Sequence, residues 1–352
     1  MKRHFKGMPT PEDFELKSEP LRSLKENEIM LKPEFWSVDP YARVYPIAFG
    51  YKLPMTMLGS QVAEVVESRN AKYPVGSHVV TYTGWREISV TDPDAHYDTY
   101  GKGANALPRV SRAFSLPPGL SRSVLLGTVG MPGNTAYFGL LDICQPRAGE
   151  TVVVSGAGGA VGSLVGQIAK IKGCRVIGIT GSQEKCHFLT DQLGFDAAIN
   201  YNKSNVKTAV RRAAPDGVDC YFDNVGGSIS SAVLFNMNMY GRVSVCGAIT
   251  GYNDTKPSLF PALQPTFVAF QLKMEGFVVW RWLHSGRWDE GLSQMSSWLQ
   301  EGKIKNKETF VDGFENLPSA FIGNLKRFFR SVINPLVGLL SGDNTGKMIV
   351  RA

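Results

Sequence analysis

The residues of this 352-residue chain that could do chemistry begin with a run of glycines. Gly156, Gly159 and Gly162 are spaced G-x-x-G-x-x-G within 151–172 (TVVVSGAGGAVGSLVGQIAKIK), and Gly158 adds a fourth small residue. Glycines let a backbone approach a pyrophosphate closely, and a following helix offers unpaired N–H groups and a partial positive charge. The same spacing also serves a tight helix–strand packing turn, so the flanks decide. Thr151–Ser155 reads as a buried parallel strand, and Val161, Leu164, Val165 and Ile168 fall at helical spacing before Gly173, a C-cap. Strand, turn and helix in that order predict a dinucleotide site.

The second strand, 174–180 (CRVIGIT), should end near the adenosine ribose. An NAD site carries Asp or Glu there, about 20 residues past the glycines. This chain instead has Thr180-Gly181-Ser182-Gln183-Glu184-Lys185. With Ser182 as N-cap, Lys185 lies in the first helical turn. A cation there opposes the helix dipole by roughly 0.3–1 kcal/mol unless an anion is close. The 2′-phosphate of NADPH would be that anion; the alternative is a solvated lysine offset by Glu184. The reading favours NADPH.

Reactive motifs of other kinds are missing. There is no G-x-S-x-G elbow and no H-E-x-x-H, and 342–347 (GDNTGK) is one residue short of a Walker loop and lacks its Ser/Thr. The five histidines (His4, His78, His96, His187, His284) are dispersed without carboxylate or cysteine at ligand spacing, so no metal site is expected. Oxidising an alcohol means removing a proton from a poor acid, usually with help from zinc or a basic side chain. Hydride delivery to an already electrophilic carbon needs less. In an α,β-unsaturated carbonyl the hydride goes to the β-carbon and charge gathers on oxygen as an enolate, where one hydrogen-bond donor suffices. Tyr252 is the candidate donor: it follows the expected strand 242–246, and a phenol stays protonated near neutral pH. The alternative is a tyrosine that only packs its loop.

The elements that must position these residues follow a βα rhythm. Expected after the second strand are helix 182–193 closed by Gly194, strand 197–201, helix 205–213, a turn at Pro215-Asp216-Gly217, and strand Val218–Asp223. Helix 228–237, strand 242–246 and strand 276–280 follow, giving a parallel sheet covered on both faces. Ligands of such sheets lie outside the carboxyl ends of the strands, which selects Asn224, 247–252, Val278 and Val279 as cofactor-facing. Residues 1–130 alternate apolar and polar around 28–31, 61–66 and His78–Thr81, so a small β-barrel is expected there, with 92–105 as a loop. A helix is expected over 135–144, and Lys347–Arg351 is expected to rejoin the first domain.

Composition limits the alternatives. A 43% hydrophobic, 20% charged chain is ordinary for a globular enzyme, and a net charge of +7 without a recognition motif fits a polyanionic cofactor better than nucleic acid. The five cysteines (Cys144, Cys174, Cys186, Cys220, Cys246) include no C-x-x-C pair and read as free thiols in a reducing, cytoplasmic compartment. The start, MKRHFKGMPTPEDF, lacks an apolar leader region, and no stretch is long enough to span a bilayer.

With these residues assembled, the chain resembles the zinc-independent medium-chain dehydrogenase/reductases, and within them the prostaglandin reductase 1 group (leukotriene B4 12-hydroxydehydrogenases, NADPH-dependent alkenal reductases). The resemblance rests on Ser37-Val38-Asp39-Pro40-Tyr41, GTVGMPGNTAYFGLL (127–141), GAVGSLVGQIAKIKGC (159–174), DCYFDNVGG (219–227), CGAITGYN (246–253), MEGFVV (274–279), GFENLPSAF (313–321) and GDNTGK (342–347). It implies a GroES-like β-barrel domain from 1–126 and 311–352 around a doubly wound Rossmann domain, 127–310. It implies NADP contacts at Thr135, Gly159, Ala160, Val161, Gly162, Lys185, Tyr201, Asn224, Cys246, Gly247, Ala248, Ile249, Thr250, Gly251, Tyr252, Phe277, Val278, Val279 and Asn344. Tyr252 is then the enolate-stabilising residue, and Tyr41 borders the substrate. The activity implied is NADPH-dependent reduction of 15-oxo-prostaglandins, alkenals and other enones, with leukotriene B4 oxidation in the reverse sense, in a homodimer.

The chain departs from the family in places. Gly156 replaces the usual Ala of A-x-x-G-x-x-G, which should be harmless. Ala42 replaces a Met after Asp39-Pro40-Tyr41, which is expected to widen the substrate pocket. Residues 327–341 (RFFRSVINPLVGLLS) have no family counterpart and lie just before Asn344, where they could displace a cofactor contact. That leaves two alternatives open: an NADPH-binding protein inactivated by the insertion, or a quinone reductase of the same fold.

Overall fold

In this computed structural model, residues 1–94, 96–98, 106–108, 110–112, 115–256, 259–326 and 345–352 are described. The β-branched run Thr151–Ser155, with Val152, Val153 and Val154 fully buried, forms one centre of a six-stranded parallel sheet. In chain order its strands are Thr151–Ser155, Arg175–Thr180, Ala197–Asn200, Val218–Asp223, Met237–Val245 and Lys273–Gly276. In space they run third, second, first, fourth, fifth, sixth. The order therefore reverses between Thr151–Ser155 and Val218–Asp223, the switch point at which doubly wound sheets open a ligand crevice. One face is packed by the helix Ala160–Ile171 through Leu164, Val165 and Ile168, and the other by Val210, Val233 and Leu234.

The second sheet is mostly antiparallel and barrel-like. Its strands run in the order Glu308–Asp312, Lys347–Arg351, Ile29–Ser37, Gln61–Ser68, His78–Thr81 and Val110–Arg112, with Ser89–Thr91 also on Ile29–Ser37. Lys347–Arg351 rejoins the N-terminal strands as expected, with Trp36 opposite Val350.

Four expectations about elements need correction. The helix expected over 228–237 is Gly227–Leu234, and Met237 already belongs to the next strand. That strand starts before 242 because its register against Val218–Asp223 jumps from Met237 to Arg242, and the intervening bulge holds Tyr240 at φ 62°. The apolar run 276–280 is not a strand: Lys273–Gly276 makes the edge pairing, and Trp280–His284 is helical. Burial wins over β-propensity there, because Phe277, Trp280 and Trp282 pack with Phe138, the Phe138 and Trp282 rings lying 5.0 Å apart. Within 92–105, His96–Asp98 pairs with Ala106–Pro108, a local pairing that polar composition does not reveal.

Two contacts tie the C-terminal strand across both units. The Gly346 N–H donates to the Gly158 carbonyl at 3.0 Å. The next residue, Lys347, is buried and donates from Nζ to Asp39 Oδ1 at 2.7 Å and to the Val38 carbonyl at 3.1 Å, while the Ser37 hydroxyl holds the other Asp39 oxygen. Removing one partner of a buried pair strands the other charge, whereas replacing both with apolar side chains is often neutral. Asp39→Ala should therefore lower stability by about 3–5 kcal/mol in urea unfolding. The double variant Asp39→Leu/Lys347→Met should recover most of that loss, and equal losses in both would show that the pair is not what matters.

Candidate functional site

The turns at the carboxyl edge of the parallel sheet are fixed by close backbone approach. After Thr151–Ser155 the chain turns through Gly156, at φ 61°, into the helix Ala160–Ile171, whose N-cap is Gly159. A Cβ on Gly162 would lie 2.5 Å from the Gly156 carbonyl oxygen and 2.8 Å from Ala157 Cα, so a side chain cannot be placed without moving backbone. Gly159, Ala160 and Val161 are half-buried at the helix start.

Lys185 reaches this turn from the second helix. Ser182 caps that helix, accepting from the Lys185 N–H at 3.3 Å. The lysine is 5% exposed, and its Cδ is 3.3 Å from where a Gly158 Cβ would be, so it is not the solvated surface lysine of the alternative reading. The Tyr201 hydroxyl end lies against Gly181, and its N–H donates to the Thr180 carbonyl at 3.0 Å.

Across the switch point stands Asp223, a buried carboxylate. Its Oδ1 accepts from the Ser155 hydroxyl (2.9 Å), the Tyr221 hydroxyl (2.8 Å) and the N–H groups of Val225 and Gly226 (both 2.9 Å). Burial, then Asp223 itself, pushes the Tyr221 phenol well above its ordinary range. Asn224 is locked to the first strand, its N–H donating to Ser155 Oγ at 3.0 Å and its amide Nδ2 to the Ser155 carbonyl at 2.7 Å.

The 246–252 loop is attached to that same turn. Cys246 and Gly247 donate to the Asp223 carbonyl at 2.8 and 3.1 Å, and Thr250 donates to the Val225 carbonyl from both N–H (3.1 Å) and Oγ1 (2.7 Å). Ile249 is buried, Ala248 and Gly251 are exposed, and a cavity of ≈ 410 Å³ borders Ala248, Thr250, Gly251, Asp254 and Phe260. The Tyr252 ring turns back over the loop, with its hydroxyl 3.2 Å from where a Gly247 Cβ would sit. Burial raises this phenol and Cys246 adds to the rise, with an opposing hydrogen bond from Ala248 backbone. The Cys246 thiol is pushed up to about 12 by burial, with Asp223 adding.

The remaining residues frame these turns. Phe277 donates from N–H to the Val245 carbonyl at 3.2 Å and sets its ring against Trp282 at 5.4 Å; Val279 is buried and Val278 exposed. Thr135, in the helix Met131–Phe138, donates its hydroxyl to the Met131 carbonyl at 2.7 Å. Tyr41 lies in the short helical turn Pro40–Arg43 of the other unit, its ring 4.9 Å from Tyr45. Ala42 is buried in the cluster with Trp36, Val38, Met57 and Phe321. Asn344 and 327–341 lie outside the described residues. Among the described residues, no group of three His, Cys, Asp or Glu could hold a metal ion. Sequence reasoning missed Asp223 as the organiser of the switch point, although its place just before Asn224-Val225-Gly226-Gly227 was a usable signal.

A reversed-order parallel sheet with a glycine turn at its switch point, joined to a barrel-like β unit, defines a dinucleotide-dependent oxidoreductase fold. Family models agree, matching residues 1–98 as an N-terminal domain of oxidoreductase and 160–297 as a zinc-binding dehydrogenase. Prostaglandin reductase 1 of Rattus norvegicus is 46% identical over 100% of this chain and 98% of its own. The NADP(+)-dependent 2-alkenal reductase of Nicotiana tabacum is 36% identical over 99% of this chain and 95% of its own. The crystal structure of CurA from Vibrio vulnificus in complex with NADPH superposes with a TM-score of 0.85 at 36% identity, covering 100% of this chain and 97% of that one. The chain belongs to the prostaglandin reductase 1 group of the zinc-independent medium-chain dehydrogenase/reductases.

The glycine turn makes a structural prediction of its own. Gly162→Ala forces the new methyl onto the Gly156 carbonyl, and strain of this kind costs about 1–3 kcal/mol. A thermal melt followed by circular dichroism should show a lowered midpoint, and an unchanged midpoint would contradict the close approach.

Proposed function

We propose that the protein reduces the carbon–carbon double bond of α,β-unsaturated ketones and aldehydes with NADPH. It is an NADP-dependent oxidoreductase acting on CH–CH bonds, of the 15-oxo-prostaglandin 13-reductase and 2-alkenal reductase type, and its substrate is a small enone or eicosanoid. What supports this reading most in the geometry is Tyr252, which lies in the 246–252 loop at the carboxyl end of the fifth strand with its hydroxyl against Gly247.

The residues present fit the cofactor. The glycine turn lets the helix start close against the first strand, a Cβ at Gly162 meeting the Gly156 carbonyl, so that its N-terminus could face a pyrophosphate, and Lys185, beside Gly158, would be the partner for a 2′-phosphate. Asn224, the 246–252 loop and Phe277, Val278 and Val279 would border the nicotinamide end, with Thr135 and Tyr201 flanking. When bound, NADPH supplies the hydride. The protein's own part is to orient the enone and hold a proton donor at its carbonyl oxygen. As the β-carbon gains hydrogen, the electron pair moves to that oxygen, and a hydrogen bond from Tyr252 strengthens as the enolate forms. Tyr41 would border the substrate from the turn Pro40–Arg43, whose Arg43 bonds to Asn253 next to Tyr252.

The thiols and one exposed strand edge support a reading of setting and assembly. All five cysteines are free thiols, which supports a cytoplasmic setting. No helix among the described residues is long and apolar enough to cross a membrane. The edge strand Lys273–Gly276 pairs on one side only among the described residues, next to exposed Val268, Phe270 and Met274. A second copy pairing along this edge would cover them in a homodimer.

Three outcomes test the reading. Tyr252→Phe should lower kcat on an enone at least tenfold while the NADPH Kd stays within about twofold, since the lost bond forms only as charge develops; loss of binding instead would remove the role. Lys185→Ala should weaken NADPH about tenfold or more and NADH little, the size of a charge-assisted contact; equal losses would refute the 2′-phosphate assignment. Because burial raises the Tyr252 pKa, the protonated form persists through pH 10 and is lost only above the raised value. The kcat profile should therefore show no Tyr252-dependent fall below about pH 10, and an alkaline limb near pH 8 that Tyr252→Phe abolishes would contradict it.

A further inference from the structure

Arg43 is a buried cation that the reaction scheme does not use. It is 3% exposed and lies two residues past Tyr41, at the end of the turn Pro40–Arg43. Among the described residues it enters no ion pair, and burial holds its pKa below the ordinary arginine value, with Asp13 opposing. Its guanidinium instead reaches two neutral acceptors from distant parts of the chain. Nε donates to Asn253 Oδ1 at 2.8 Å, and Nη2 donates to the Gly7 carbonyl at 2.8 Å. The guanidinium also lies over the Phe5 ring, 5.4 Å from its centroid.

Burying a charge without a counter-ion is costly, and a neutral side chain could fill this space more cheaply. What arginine uniquely offers is a planar fork that fixes several acceptors in one geometry. One of those acceptors belongs to the residue after Tyr252. Asn253 is held from its other side as well, its Nδ2 lying 3.4 Å from Met8 Sδ. The turn containing Tyr41 is thus fastened at both ends: Asp39 to Lys347 beside the Gly346–Gly158 bond, and Arg43 to Asn253 beside Tyr252.

We propose that Arg43 is a positioning residue for the reduction, holding the Tyr252 hydroxyl in register with the enone through its bond to Asn253. This rests on the reading of Tyr252 as the donor at the carbonyl oxygen. A hydroxyl displaced by about 1 Å can cost on the order of 100-fold in rate without changing the groups present.

The test is made from the Asn253 end, since Arg43 variants could lose the fold with the buried cation. Asn253→Ala removes the acceptor from a half-exposed site. It should lower kcat on an enone about tenfold with KM and NADPH Kd within about twofold. Asn253→Asp restores an acceptor for the guanidinium and should recover most of the lost turnover. On a Tyr252→Phe background, Asn253→Ala should add no further loss, because both changes act on the same hydroxyl. Arg43→Lys, which keeps the charge but not the fork, should reproduce the kcat loss in folded protein, as judged by an unchanged NADPH Kd. Wild-type turnover in Asn253→Ala, a fall confined to KM, or additive losses in the double variant would each overturn the positioning role. Wild-type turnover in Tyr252→Phe itself would instead show that the donor reading has failed, so the two failures are separate.

Discussion

The close approach of three backbone segments at the glycine turn is the constraint on which the rest of the molecule depends. Gly162 sits so near the Gly156 carbonyl that the helix must start directly above the first strand, and Gly346 reaches the same turn with a hydrogen bond to Gly158. At Gly162 a Cβ would meet the Gly156 carbonyl, and at Gly346 the Lys307 carbonyl, so neither position takes a side chain without moving backbone. Because Lys347 follows immediately and carries its charge to Asp39, the turn that would hold a pyrophosphate and the loop bearing Tyr41 are fixed relative to each other by two adjacent residues.

A second centre completes the site. Asp223 gathers four donors at the sheet's switch point, and the 246–252 loop bonds to the backbone of the turn it shapes. A carboxylate with that many charge-assisted bonds holds its surroundings in one arrangement. Tyr252 lies at the end of this chain of contacts, with Asn253 beside it bonded to Arg43. The division of labour suits enone reduction, in which the protein's largest task is to present a donor where charge will develop.

Much of this was legible in the sequence because it is local. Continuous β-branched runs, the G-x-x-G-x-x-G spacing, the Ser182 cap and the Gly173 and Gly194 stops each carry their own physical signal within a few residues, and the first four strands of the parallel sheet follow from them. The misread elements are those decided by distant partners. The apolar run after Gly276 resembles a strand until Phe138 and Trp282 draw it into an aromatic cluster, and the Met237–Val245 bulge depends on register against Val218–Asp223. The same holds for the site. Its glycines, Lys185 and Tyr252 could be named from spacing and chemistry, whereas Asp39–Lys347 and Arg43–Asn253 join residues 308 and 210 positions apart and leave no trace in either neighbourhood.

The most direct test follows the transferred hydrogen. With NADPH deuterated at both C4 positions and an α,β-unsaturated ketone in ordinary water, the product should be the saturated ketone carrying one deuterium on the β-carbon. Deuterium on the former carbonyl carbon, in an allylic alcohol, or no oxidation of NADPH by any enone, would contradict the account.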